Sequence, residues 1–185
     1  MAPYLSNTYW HWEKALSKDF CNLIIQEADW SKKEQGVAGG VVNEKMRITY
    51  VVWMNRMSPI SCVALNYINS ANVQANWNYE LINIEEVQIG RYEKDGHYDW
   101  HTDDDINMIN GPNTIRKISL SIQLNDPNEH EGGTLEFKHK GHTLPLKMQQ
   151  GDVVVFPSFI EHRITPILSG TRYSAVAWAH GPFFK

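Results

Sequence analysis

Two imidazoles and a carboxylate suit an open iron(II) site, and His101-Thr102-Asp103 with the later His162 supplies that set. Such a triad occupies one face of the metal and leaves positions free for a chelating ligand and for dioxygen. On an extended segment residues i and i+2 project to the same side, so a His-x-Asp pair presents two donors together. The pair alone is a weak signal, since roughly 0.4 of them arise by chance in a chain of this composition. A second pair, His97-Tyr98-Asp99, lies just upstream. Positions 97, 99, 101 and 103 share one face of any regular strand, so periodicity does not choose between the pairs. A polar, hydrogen-bonding loop accounts for either.

Arg172 follows His162 by ten residues, with Pro166 and Gly170 punctuating the interval. A strand leaving the metal, a turn and a returning strand would place Arg172 deep in the same interior, four strand residues covering about 13 Å. There a guanidinium can grip the far end of a diacid that chelates the metal, because its planar fork binds a carboxylate through two hydrogen bonds. Arg172, Ser174, Val176 and Trp178 alternate onto one face, which places Ser174 to donate a second bond. The competing account of Arg172 is a surface salt bridge.

The elements that must position these residues are legible in outline. Ser17 can cap a helix carrying Phe20, Leu23, Ile24 and Ala28 at helical spacing and ending near Trp30. Residues 31–45 are polar and Gly-rich and read as a loop, and Thr49 to Met54 reads as a strand. A second helix is expected over 59–74, with Cys62, Leu65, Tyr67, Ile68 and Val73 on its apolar side. From residue 81 the pattern changes. Ile118, Leu120, Ile122 and Leu124 alternate with Lys117, Ser119, Ser121 and Gln123, the signature of a half-buried strand. Further strands are expected at 84–92, 133–138, 143–148, 152–156, 161–166 and 171–179, separated by Gly- or Pro-containing turns. The fold class is mainly β with flanking helices, arranged as a sandwich or double-sheet jelly roll. No repeat, low-complexity tract or long linker divides the chain, which reads as a single domain, 1–185.

Bulk properties narrow the function classes. The 185 residues are 42% hydrophobic and 21% charged, with a formal charge of −4, ordinary values for a soluble globular protein. The sequence shows no Lys/Arg stripe of the kind that tracks phosphates, so nucleic-acid binding has little support. Cys21 and Cys62 lack metal-type spacing and do not make a disulfide framework, which favours a reducing compartment or simple core packing, and the expected setting is cytoplasmic. No apolar run reaches the ~20 residues of a membrane span, and the first residues lack the pattern of a signal peptide.

The ordered set Tyr92, Tyr98, His101, Asp103, His162, Arg172 and Trp178 resembles the prolyl 4-hydroxylase branch of the iron(II)/2-oxoglutarate oxygenases, including the PKHD-type bacterial and phage hydroxylases and the oxygen-sensing prolyl hydroxylases. Supporting stretches are RKISLSIQLND (116–126), EGGTL (131–135), GDVVVFP (151–157) and HRITP (162–166). The resemblance runs from about Leu16, where LSKDFCNLII looks like the family's entry helix, to Trp178. It implies a double-stranded β-helix, with support over about 1–80 and a catalytic core over about 81–180. It also settles the register, because the family carries an aromatic three residues before its first iron ligand, as Tyr98 precedes His101. His97 and Asp99 then become supporting or substrate-loop residues.

By position, His101, Asp103 and His162 resemble the iron ligands, and Arg172 resembles the partner of the distal 2-oxoglutarate carboxylate. Tyr92 resembles a tyrosine lining the co-substrate pocket, Tyr98 one near the substrate, and Trp178 an aromatic beside the active site. Where some relatives place a carboxylate-binding Tyr on the central strand, this chain has Ser119-Leu120-Ser121-Ile122, so the contact is either lost or supplied otherwise, with Ser174 and Tyr92 as the candidates. The implied cofactors are Fe(II), 2-oxoglutarate and O2, with ascorbate as a candidate reductant. The implied reaction couples hydroxylation to conversion of 2-oxoglutarate to succinate and CO2. A carboxylate at Asp103, where related halogenases carry a small residue, favours hydroxylation. A prolyl residue of a peptide or protein is the implied substrate, with Trp53, Tyr98, Trp178 and Arg116 as candidate contacts and the polar segments 31–45 and 104–114 as candidate lids. A free amino acid or small metabolite is the alternative. From other classes stand a cupin-like metal enzyme without a keto acid and a non-catalytic jelly-roll module binding a sugar or metal.

Overall fold

The computed structural model describes residues 7–104 and 114–183. Helix α1 (Lys18–Glu27) begins where Ser17 Oγ accepts the Phe20 amide at 3.2 Å, a side-chain cap for an otherwise unpaired donor. Helix α2 (Pro59–Gln74) opens on Pro59, whose missing N–H falls where no intrahelical bond is due. The strands are β1 (Trp10–Trp12), β2 (Glu34–Gln35), β3 (Arg47–Ile48), β4 (Tyr50–Trp53), β5 (Asn83–Ile84), β6 (Gln88–Tyr92), β7 (His97–His101), β8 (Thr114–Gln123), β9 (His130–Gly132), β10 (Leu135–His139), β11 (His142–Leu146), β12 (Val153–Pro157), β13 (His162–Ile164), β14 (Ile167–Gly170) and β15 (Arg172–Pro182).

Among the described residues the strands form a major sheet in the order β1-β12-β8-β15-β6-β4-β2, with β5 added on β15. A minor sheet runs β11-β10-β13-β7-β3, and β14 pairs with β9 in a separate ribbon. Alternation along the central strands divides the core in two. Ile118, Leu120, Ile122 and Leu124 of β8 and its extension, Val153 and Val155 of β12, and Ala175, Ala177 and Ala179 of β15 pack under the helices with Ile24, Ile60 and Ile68. Each of those three fully buried isoleucines contributes roughly 1.5–3 kcal/mol of apolar burial. The opposite faces meet between the sheets, where Tyr92, Val154 and Phe156 of the major sheet pack with Leu135, Phe137 and Ile164 of the minor one. This is the expected double-stranded β-helix with helices on one outer face.

Two expectations are corrected. The alternation in β8 predicts one wet face, yet Ser119, Ser121 and Gln123 are 1%, 5% and 2% exposed. The strand is central, so its polar row faces the enclosed space between the sheets. In α2 the extent agrees with the prediction and the buried face agrees only in part, Ile68 being buried and Tyr67 packing half-buried on the core. Cys62, Leu65 and Val73 are exposed, whereas Ile60, Ala64, Ile68 and Ala71 are buried. Ala64 and Ala71, two turns apart on that face, let the helix lie close on the sheet, and a ranking by bulk overlooks them. The segment 31–45 keeps its loop character apart from β2, the end of a 3-10 turn over Trp30–Lys32 and an Ala38–Val41 bridge. The second candidate lid, 104–114, lies almost wholly outside the described residues. Among the described residues no helix is long and apolar enough to cross a membrane.

Candidate functional site

His101 ends β7 and His162 begins β13, and the two are direct partners across those strands. Their rings lie 4.2 Å apart. Asp103 sits beyond the end of β7, where its N–H donates to Ser158 O at 2.8 Å and turns the side chain toward the histidines. Its carboxylate oxygens lie 3.7 Å from His101 Nε2 and 3.5 Å from His162 Nε2, and ligand atoms of all three residues fall within 4.8 Å of one another. A bend beyond the strand, rather than the pleat, joins His101 to Asp103.

The surroundings prepare these groups for a cation. His101 Nδ1 meets Asp99 O at 2.7 Å and His162 Nδ1 meets Ile160 O at 2.9 Å. A carbonyl only accepts, so each Nδ1 carries the proton and the Nε2 lone pairs are left for a metal. Burial and then the neighbouring His162 press the His101 pKa down to about 3, keeping the ring in the neutral form that ligation needs. Burial acts to raise the Asp103 carboxyl, but His162, His101, Arg116 and the Ser119 hydroxyl outweigh it and hold it near about 2. Ser119 Oγ donates to Asp103 Oδ2 at 2.6 Å and lies 3.0 Å from Ser158 Oγ.

The competing pair His97/Asp99 is turned away. His97 bonds the carbonyls of Asp95 and Lys45, and the exposed Asp99 carboxylate accepts from Trp100 N. Asp99 serves the site through its backbone carbonyl. Tyr98, by contrast, stacks on His101 with centroids 3.5 Å apart, and burial pushes its hydroxyl up to about 12.

Across the interior, Arg172 opens β15 opposite Tyr92 of β6, with its guanidinium carbon 5.6 Å from the Tyr92 ring. It is 1% exposed, and its Nη1 has no hydrogen-bond partner among the described residues. Burial lowers its pKa. An unpaired buried cation is costly, and a carboxylate there would relieve that cost. Gly133 makes room for it, since a Cβ at that position would lie 2.8 Å from Arg172 Cδ. Ser174 is buried on the same face, and Gly90 lets Tyr92 and Ser174 close up, an added Cβ standing 3.3 and 3.4 Å from them. The central cavity is lined by the triad with Tyr92, Tyr98, Ser121, Leu135 and Trp178. Arg172 borders an adjoining polar cavity with His130 and Lys147, and Leu135 forms part of both walls.

At the mouth, Arg116 donates through Nε and Nη2 to the two oxygens of Glu85, at 2.6 and 2.8 Å, and stacks 4.0 Å over Trp178. His180 also bonds Glu85. Arg116 still borders the outer groove with Tyr98, Thr102 and Asp103, so it is both ion-paired and presented to an incoming ligand. Trp53 is 41% exposed and its ring pairs with that of Trp178 at 6.4 Å.

Several participants are invisible to motif reading. Ser119 and Ser158 touch Asp103 through a register that only the folded sheets create. Arg47, buried on β3, lines the central cavity and lies 4.7 Å over the Tyr98 ring, with no spacing signal to mark it. Gly133 had a signal, standing in the EGGTL stretch, though its sequence reading was only a turn.

Residues 87–180 match the model of the 2OG-Fe(II) oxygenase superfamily, and the chain belongs to that family. The family is named for iron(II) and 2-oxoglutarate, and the site offers a donor set for the first and an unpartnered buried cation for the second. A PKHD-type hydroxylase of Synechococcus sp. (strain CC9311) is 30% identical over 112 residues, 57% of this chain and 49% of that protein. The chain spans about half the length of the curated relatives it matches. A Pseudomonas putida prolyl-4-hydroxylase superposes with a TM-score of 0.75 at 19% identity, covering 95% of this chain and 94% of that one. A Trichoplax adhaerens prolyl hydroxylase in complex with a hypoxia inducible factor peptide fragment gives 0.70 at 17%, covering 94% and 84%. Likeness at these identities is one of fold.

Proposed function

We propose that this chain is an iron(II)- and 2-oxoglutarate-dependent hydroxylase acting on prolyl residues of a peptide or protein and converting 2-oxoglutarate to succinate and CO2 as it does so. The observation that carries the reading is a three-donor cluster lining the central cavity and, on the cavity that adjoins it across Leu135, a buried guanidinium whose Nη1 has no partner among the described residues. His101, Asp103 and His162 would hold the iron, and Arg172 the distal carboxylate, with Tyr92 and Ser174 beside it. Bound iron supplies the redox chemistry that activates dioxygen against 2-oxoglutarate. The chain's own residues orient and exclude. Nδ1 bonds to Asp99 and Ile160 hold both imidazoles with Nε2 inward, and Ser119 holds one oxygen of Asp103. Phe137, Phe156 and Ile164 keep the interior dry around His162, which limits unproductive oxidation. Tyr98, Trp178 and Arg116 would receive the substrate at the mouth.

A peptide substrate is supported by the prolyl hydroxylase likenesses, one of which carries a peptide. The same reading takes residues 1–185 as one domain, supported by the cores on both faces of the major sheet, one of which α1 and α2 share with β8, β12 and β15. The free thiols of Cys21 and Cys62 accord with the reducing cytoplasm.

Anaerobic titration with iron(II) and then 2-oxoglutarate tests the cofactor assignment. A peptide-library screen for a mass gain of one oxygen atom then tests the substrate. Failure to bind 2-oxoglutarate would favour the cupin-like alternative, and hydroxylation of free amino acids alone would replace the peptide reading.

A further inference from the structure

A guanidinium, a phenol and an imidazole form a continuous column at one side of the site. Arg47 of β3 pairs with Tyr98 of β7, and its guanidinium carbon stands 4.7 Å over the Tyr98 ring. The other face of that ring lies on His101 at 3.5 Å, with planes 10° apart. Arg47 is 6% exposed. Its Nη1 donates to Val37 O at 3.1 Å and its Nη2 to Gln88 Oε1 at 2.7 Å, while its Nε has no partner among the described residues. None of these partners carries a formal charge.

The arrangement is costly unless the cation does something no apolar side chain would. Gln88 begins β6 in the major sheet, so the Nη2 bond ties the two sheets together beside the mouth. Val37 precedes Ala38 and Gly39, which border the outer groove with His101 and Asp103. The Nε bears on Gly36, where a Cβ would stand 2.6 Å away, so this edge of the guanidinium is closed to ligands. Nη1 and Nη2 each spend one N–H on the bonds to Val37 and Gln88, and the guanidinium stands over Tyr98. The Nδ1 bond to Asp99 restrains His101 at one ring atom and leaves a small rotation about Cβ–Cγ open. A ring stacked on the imidazole removes that rotation, provided something holds the ring from behind.

We propose that Arg47 is a positioning residue for the metal ligand His101, acting through Tyr98 and anchored by Gln88 and the Val37 carbonyl. The inference rests on the metal-site reading above and assigns Arg47 no contact with iron, co-substrate or substrate.

The test uses the full chain loaded with cobalt(II), reading its visible absorption and the rate of its release to EDTA. Removal of groups that orient a ligand weakens metal affinity roughly 10–100-fold, so Arg47→Met is expected to release cobalt(II) at least about tenfold faster and to alter the cobalt band. Arg47→Lys keeps a cation over the ring and is expected to recover part of the loss. Tyr98→Leu is expected to release as fast as Arg47→Met, and the double variant no faster than Tyr98→Leu alone. Gly36→Ala, which crowds Thr49 Cγ2 as well as Nε while keeping Arg47, is expected to shift release in the same direction and, in a Thr49→Ser background that removes the first clash, carries the test if Arg47→Met does not fold. Wild-type release and absorption in Arg47→Met, Arg47→Lys and Gly36→Ala would overturn the inference, as would multiplying effects in the double variant. A wild-type chain that takes up no cobalt(II) would instead overturn the metal-site reading on which it rests.

Discussion

Tyr98 and His101 stack face to face at 3.5 Å although three positions separate them along β7. In a regular strand an odd separation sends two side chains to opposite faces. Across β7 and β13, His101 pairs with His162 and Tyr98 with Ile164, so three steps on one strand match two on the other. The extra residue is a β-bulge, which reverses the parity of everything before it. Tyr98 therefore joins His101 in the interior, while His97 and Asp99 are turned away from it. The bulge chooses between two His-x-Asp pairs that periodicity leaves equivalent.

Ser119 is the first residue to test beyond the triad. Its hydroxyl is the 2.6 Å donor to Asp103 Oδ2, so Ser119→Ala should leave the carboxylate free to turn and weaken iron(II) affinity by roughly tenfold or more. Asp103→Ala should abolish iron-dependent 2-oxoglutarate turnover. Metal titration with a turnover assay checks both, and unchanged coupled turnover in Asp103→Ala would sink its assigned role.

Arg172 and Gly133 should separate co-substrate binding from metal binding. A hydrogen bond to a charged group contributes about 1.5–3 kcal/mol, so Arg172→Met should weaken 2-oxoglutarate binding by at least about tenfold and leave metal uptake intact. Loss of an unpaired buried charge should leave the melting temperature of the ligand-free protein unchanged or raised. Gly133→Ala should weaken 2-oxoglutarate binding and also destabilise, because Gly133 has φ +69 and its Cβ would crowd Ile167 and Arg172. Strain of that kind costs on the order of 1–3 kcal/mol. Calorimetric titration and thermal melts distinguish the two variants.

The depressed His101 pKa makes a prediction about acid. Folded, the ring resists protonation down to about 3, against 6.5 for the free side chain. As pH falls below about 6.5 the unfolded chain binds the proton first, so stability declines from there toward pH 3. The metal-free wild type should lose melting temperature between pH 7 and pH 5. His101→Gln should lose less over the same interval, and equal slopes would contradict the account.

The corrected face of α2 is testable by stability alone. Ala71 is fully buried and Val73 is 70% exposed. Ala71→Leu should overpack the helix–sheet interface and cost about 1–3 kcal/mol, whereas Val73→Ser should stay within about 0.5 kcal/mol. Denaturant midpoints would show which face is buried.

The sequence by itself determined the class of fold, both helices and the place of most strands, because capping, periodicity and turn residues act over a few positions. It also contained the donor types and the His162–Arg172 interval, which suffice to suggest a metal beside a carboxylate grip. Tertiary structure decided the rest, because each remaining question concerned residues far apart in the chain. The wetness of Ser119 and Ser121 depended on a second sheet closing over β8, and the buried face of α2 on how closely alanines approach a sheet. The solitude of Arg172 Nη1 appeared only once its neighbours were in place. His101 was separated from His97 by one extra residue in a strand pairing, a relation between β7 and β13 that neither segment carries alone.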